Sequence, residues 1–134
     1  MLQYSAACSN AALDAVEATI GASPILRIRT GAPPANVAAA STGTVLATVT
    51  LPADWMAAAA NFSKAKLGTW EDLAADAAGT AGHFEIVASN GTTRHMQGTC
   101  GLSGSGADMI LDNATFAAGQ QFAITAFTLN QTNQ

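Results

Sequence analysis

Between Gly82 and Cys100, two runs of alternating residues flank the dipeptide Asn90-Gly91. Asn-Gly tolerates the positive φ that a tight strand reversal needs, so the stretch predicts a β-hairpin. A hairpin obliges the neighbouring strands to follow its period of two. A two-residue turn would pair Ile86 with His95 and Glu85 with Met96, mixing polar and apolar side chains on both faces. A three-residue loop, with Gly91 as a left-handed bulge, pairs Ile86 with Met96 and Ala88 with Arg94. It gathers Phe84, Ile86, Met96 and Cys100 on one face and leaves His83, Glu85, His95 and Gln97 on the other. Arg94 then reaches solvent near the turn. A one-residue slip turns a strand over, so the apolar pattern selects the bulged register.

The chain around this hairpin reads as short elements. Residues 9–20 predict a helix: Ser9 can cap it, and Leu13, Val16 and Ile20 form one apolar stripe. Gly21 and Pro24 stop it. A helix this short must pack on something, as a lid over the sheet or as an arm on a neighbouring subunit. Ile25 to Thr30 alternates, with Leu26 and Ile28 on one side and Arg27 and Arg29 on an outer basic stripe. Pro33-Pro34 keeps the following stretch out of a sheet, as a surface loop with one helical turn near Val37 to Ala40. Thr44 to Leu51 and Phe62 to Leu67 read as strands, and Gly68 to Trp70 continues the second. Between those two strands, Pro52 to Ala60 reads as a turn or short helical piece.

Glu71 to Gly79 reads as an acidic loop. Ala107 to Leu111 and Gln121 to Leu129 are the last two strands. In the second of these, Phe122 and Ile124 fall on one face but Phe127 and Leu129 on the other. Either that strand is buried on both faces or a bulge near Thr125-Ala126 changes its phase. The tail 130–134 lacks an apolar anchor and is expected to fray. About seven short strands with regular turn signals predict one all-β domain over residues 1–134, an antiparallel, jelly-roll-like β-sandwich with a short N-terminal α-helix.

Composition decides what such a domain can do. Only 10% of the residues are charged, against about 25% in ordinary soluble chains. A surface kept apart from its neighbours normally relies on charge, so the shortage points to contact with other subunits and a homo-oligomer. A net charge of −4 with five Lys+Arg argues against nucleic acid and against anionic membranes. No run is long enough to span a bilayer, and the first residues lack the basic start of a secretory signal. Cys8 and Cys100 form no metal or redox motif and read as free thiols.

The residues suggest no catalytic site. His83 and His95 with Glu85 could hold zinc across the hairpin, but one flat sheet seldom makes side chains converge, so solvent-exposed histidines are expected. Ser105 stands where a nucleophile-elbow motif needs its second glycine. Glu71, Asp72 and Asp76 read as a solvated loop. Trp55 and Trp70 could stack on a sugar ring, but core or interface packing suits a chain with so few large side chains. The expectation is therefore no enzyme, no metal and no cofactor. The residues expected to meet a partner are Leu13, Val16, Ile20, Arg27, Arg29 and Trp55.

Two stretches carry a family likeness. Ile25-Leu26-Arg27-Ile28-Arg29-Thr30-Gly31-Ala32-Pro33-Pro34-Ala35-Asn36-Val37 resembles the opening of small structural proteins of tailed bacteriophages. Leu111-Asp112-Asn113-Ala114-Thr115-Phe116-Ala117-Ala118-Gly119-Gln120, followed by Ile124 to Leu129, is similar to their ending. Gly79 to Phe84, Gly91 to Thr93 and Met96 to Gly98 resemble the middle. The resemblance implies a virion component without catalysis, made in the host bacterial cytoplasm. It implies a capsid decoration (cement) protein bound to the major capsid protein, or else a tail accessory protein on tail subunits. The alternative from the residues themselves is a glycan-binding module, which requires Trp55 or Trp70 exposed in a groove.

Overall fold

The computed structural model describes residues 1–131. The chain begins with helix α1 (Ala6–Ile20) and continues through β1 (Ile25–Thr30), β2 (Val45–Thr50), β3 (Ser63–Ala65), β4 (Glu71–Asp72) and β5 (Gly79–Val87). It ends with β6 (Arg94–Gly101), β7 (Met109–Leu111), β8 (Thr115–Phe116) and β9 (Phe122–Asn130). The strands form a curled mixed sheet in the order β2-β1-β5-β6-β7-β9-β3, with β4 on β9 and β8 on β5. Not every pairing is antiparallel. β6 and β7 run parallel through Cys100–Met109 and Gly101–Ile110.

The curl is visible in the aromatic core. β5 and β9 stand three places apart in the sheet, about 14 Å if it were flat, yet the rings of Phe84 and Phe127 meet edge-to-face at 5.4 Å. Phe127 lies 5.8 Å from Trp70, and Trp70 lies 6.0 Å from Trp55. Both indoles are fully buried, and each Nε1–H is satisfied, Trp55 by the Gly21 carbonyl at 3.0 Å and Trp70 by that of Leu67 at 3.1 Å. One continuous cluster joins these rings to Leu26, Ile28, Leu46, Ile86 and Met109.

Bulges set which side chains face this core. In the hairpin, Ile86 pairs with Met96 as the apolar pattern requires. The register then shifts, so Val87 rather than Ala88 opposes Arg94 and His95 is the extra residue. In β9 the pairing jumps from Ala126 to Ile124. Thr125 is the bulged residue, which puts Phe122, Ile124 and Phe127 all inside. A third shift makes Leu46 the extra residue of β2, so Leu46 and Ala47 are both buried. Gly82 is the extra residue of β5 against β1. There the backbones lie so close that a Cβ on Gly82 would meet the backbone of Gly31.

Several local expectations are corrected. α1 starts at Ala6, capped by the Ser5 hydroxyl, which accepts from the Cys8 N–H at 3.2 Å. Ser9 lies within the helix, fully buried. The alanine run after Met56 is not helical. Ala57 and Ala60 donate their N–H groups to the Ala65 and Ser63 carbonyls at 2.8 Å each, so the run lies alongside β3. Gly68 to Trp70 is not strand, whereas the expected acidic loop contains β4 and the segment before β9 contains β8. The tail is pinned further than expected. Asn130 pairs with Ser63, and the Gln131 N–H donates to the Phe62 carbonyl at 2.9 Å. Residues 132–134 of that expected frayed tail lie outside the described residues.

Candidate functional site

The outer face of β1, β5 and β6 carries the most concentrated chemistry in the molecule. Cross-strand pairing sets Arg27 opposite Glu85, and Arg29 and Arg94 reach the same carboxylate from either side. Arg29 Nε donates to Glu85 Oε1 at 2.9 Å, Arg94 Nη1 to Oε2 at 3.0 Å, and Arg27 Nη1 stands 3.7 Å from Oε1. Ser41 Oγ donates to Oε2 at 2.8 Å. Every arginine of the chain is thus gathered on one carboxylate, which is 2% exposed. Burial by itself would raise the Glu85 carboxyl. The hydrogen bonds from Ser41, Arg94 and Arg29 outweigh it and hold the group below its ordinary value.

The cover over this face is the Ala- and Pro-rich loop after β1. Asn36 Oδ1 accepts from the Ala38 and Ala39 N–H groups at 3.0 Å each, forming a hydrogen-bonded turn where a helical one was expected. Arg94 donates to the carbonyls of Val37 and Ala39, so it does not extend into solvent as the sequence suggested. Gln97 Nε2 donates to the Pro34 carbonyl at 2.7 Å. His83 is buried rather than exposed, its Nδ1–H donating to the Gly31 carbonyl at 2.9 Å. His95, displaced by its bulge, instead lines a shallow groove with Ala12, Val16 and Ile20. The two histidines therefore do not come together. Among the described residues, no group of three His, Cys, Asp or Glu could hold a metal.

A second charged cluster fastens α1. Lys64 is buried, and its Nζ donates to Asp14 Oδ1 at 2.6 Å, Glu17 Oε2 at 2.8 Å and the Ala57 carbonyl at 2.8 Å. Burial lowers the readiness of this amine to hold its proton, but its bonds to Asp14 and Glu17 prevail and raise it above the ordinary lysine value. Of the residues expected to meet a partner, Leu13, Ile20 and Trp55 are buried within this chain, and Val16 packs against the same core. The helix is a lid on its own sheet. Arg27 and Arg29 belong to the Glu85 cluster.

Sequence reasoning missed Glu85 and Lys64 as organising residues. The available signal for Glu85 was the outer stripe of Arg27 and Arg29, but reading it required knowing that β1 pairs with β5. Both cysteines are free, Cys8 exposed and Cys100 buried. Compared with known protein families, with curated proteins and with solved structures, the chain matches none.

Proposed function

We propose that this chain is a non-catalytic structural protein of a tailed-phage virion, a decoration protein that binds and reinforces the capsid shell. In this reading the curled sheet closes as a jelly-roll-like sandwich on its aromatic core. The chain binds the major capsid protein and further copies of itself, and it resides in the virion after synthesis in the bacterial cytoplasm. The observation that carries the reading is where the charge lies. Arg27, Arg29 and Arg94 turn onto Glu85, and Lys64 onto Asp14 and Glu17. That leaves Lys66, whose Nζ donates to the Gly68 carbonyl at 2.9 Å.

Four of the five cations are thus engaged within the chain, and half of an already sparse set of ionic side chains is taken up by these two clusters. The exterior is mainly Ser, Thr, Asn and Ala around scattered carboxylates such as Asp54, Glu71, Asp76, Asp108 and Asp112, with Met1, Leu2 and Leu73 protruding at 95%, 78% and 67% exposure. Weakly charged surface with projecting apolar side chains is stabilised by contact with other subunits. The order of the turn motifs supports the same reading. A glycan-binding role is less well served, because neither buried indole offers a face to a sugar ring.

The test is cryo-electron microscopy of particles carrying this chain, alongside light scattering of the purified polypeptide. Density for the fold at symmetric sites on the shell supports the proposal. Density confined to the tail replaces it with the accessory role. A solitary monomer absent from every particle overturns both.

A further inference from the structure

The Glu85 cluster does not balance its charge. Three guanidinium groups face one carboxylate, and among the described residues Glu85 alone stands at ion-pair distance from any of them. The loop carbonyls that accept from Arg29 and Arg94 satisfy N–H groups but carry no charge. Two positive charges therefore remain uncompensated in a part-buried place, within a chain whose net charge is −4. Charges removed from water are stable when paired, and guanidinium groups pair best with oxyanions.

The space for such an ion is present. A cavity of about 280 Å³ opens beside the cluster, lined by Arg27, Arg94, Ser41, Thr92 and Glu85 together with the backbone turn at 37–40. A water molecule takes up about 30 Å³, so an oxyanion and several waters fit. Arg27 is the least engaged of the three cations. It is 25% exposed, 3.7 Å from Glu85, and donates from Nη2 to the Gly91 carbonyl at 3.0 Å. Arg94 has its N–H groups directed to Glu85, Ser41 and the loop, and contributes charge to the cavity rather than a free donor.

We infer that the cavity between Arg27, Arg94 and Thr92 is a binding site for one small oxyanion. Arg27 supplies the direct charge-assisted contact, and Arg94 supplies the second positive charge behind it. The oxyanion comes either free, as a phosphate-type ion, or as a carboxylate of a bound protein partner. The site does not depend on the proposed virion role.

The test is NMR titration of the purified chain with phosphate, sulfate or acetate, each up to about 10 mM and at constant ionic strength set with chloride. Those concentrations lie below the range where general exclusion of sulfate from the protein surface matters. The expected result is saturable shifts at the Arg27 side-chain N–H and the Thr92 amide. Arg27→Met, which keeps the aliphatic stem, should weaken the affinity at least about tenfold, the effect of losing one charge-assisted contact. Arg27→Lys should recover part of it.

Response to phosphate and sulfate identifies the free ion. Response to acetate alone identifies the partner carboxylate. The absence of saturable shifts with all three anions overturns the inference, as does undiminished binding by a folded Arg27→Met protein. Should Arg27→Met fail to fold, Thr92→Val read in the same titration serves instead, and an unchanged affinity there also overturns it.

Discussion

At the scale of single residues, the decisive ones are polar groups placed where water is excluded. Glu85 is the counter-charge for three arginines and the anchor of the Ser41 hydroxyl. Glu85→Gln keeps the shape but leaves the cations unmatched, and a broken buried pair costs roughly 3–5 kcal/mol. Urea denaturation should show that loss, with the m-value unchanged if the native and denatured states keep their extents. Cys100 makes the opposite case, a reactive group silenced by its surroundings. Burial pushes its thiol up to about 12, while Cys8 is exposed. Ellman's reagent at pH 8 should therefore label one thiol in the native protein and two after denaturation.

At the scale of elements, the fold depends on two contacts far apart in sequence. Helix α1 is docked by its apolar stripe and by Lys64, whose amine joins Asp14 and Glu17. Lys64→Met should lower Tm by several degrees. It should also speed hydrogen exchange at Ala59, whose N–H donates to Asp14 Oδ1 at 2.9 Å, because that carboxylate loses its anchor. The β1–β5 contact has no slack at Gly82, where backbone atoms of Gly31 occupy the place of a Cβ. Gly82→Ala should cost on the order of 3 kcal/mol by thermal denaturation, because backbone cannot swing aside as a side chain can. Gly104→Ala, with nothing near its missing Cβ but a φ of +85°, should cost less, about 1 kcal/mol.

At the scale of the whole molecule, the two clusters set the pH range of stability. The folded-state carboxyls of Glu85 and Asp14 are lowered, so the stability they contribute is present above the ordinary carboxylate range. It is lost as pH falls through their folded values. The Lys64 ammonium is raised, so its contribution is complete below the ordinary lysine range and is lost as pH rises through the folded value. Thermal scans should give a plateau between these limits. Glu85→Gln should flatten the acid side and leave the alkaline side in place.

Much of this architecture was legible locally. Alternation marked β1 and β2, the apolar pattern chose the Ile86–Met96 register, and the conflict between Ile124 and Phe127 left two readings, of which the bulge at Thr125 is the one found. Each of these is a property of a few consecutive residues, because side-chain direction in a strand has a period of two and turn dipeptides fix φ on the spot. The same reading left His83, Glu85 and Arg94 in solvent, and only the tertiary structure put them inside. Their cover is a loop joined to them across sequence separations such as the 44 residues between Ser41 and Glu85, and no local pattern records which face a distant loop will close. Nor does it record that β6 and β7 run parallel, or that a lysine in a three-residue strand will meet two carboxylates of the first helix. Local sequence determined the longer strands and the phase of the hairpin core; long-range packing decided the short strands β4 and β8, most of the bulges, and which polar groups lost their water and therefore where the chemistry lies.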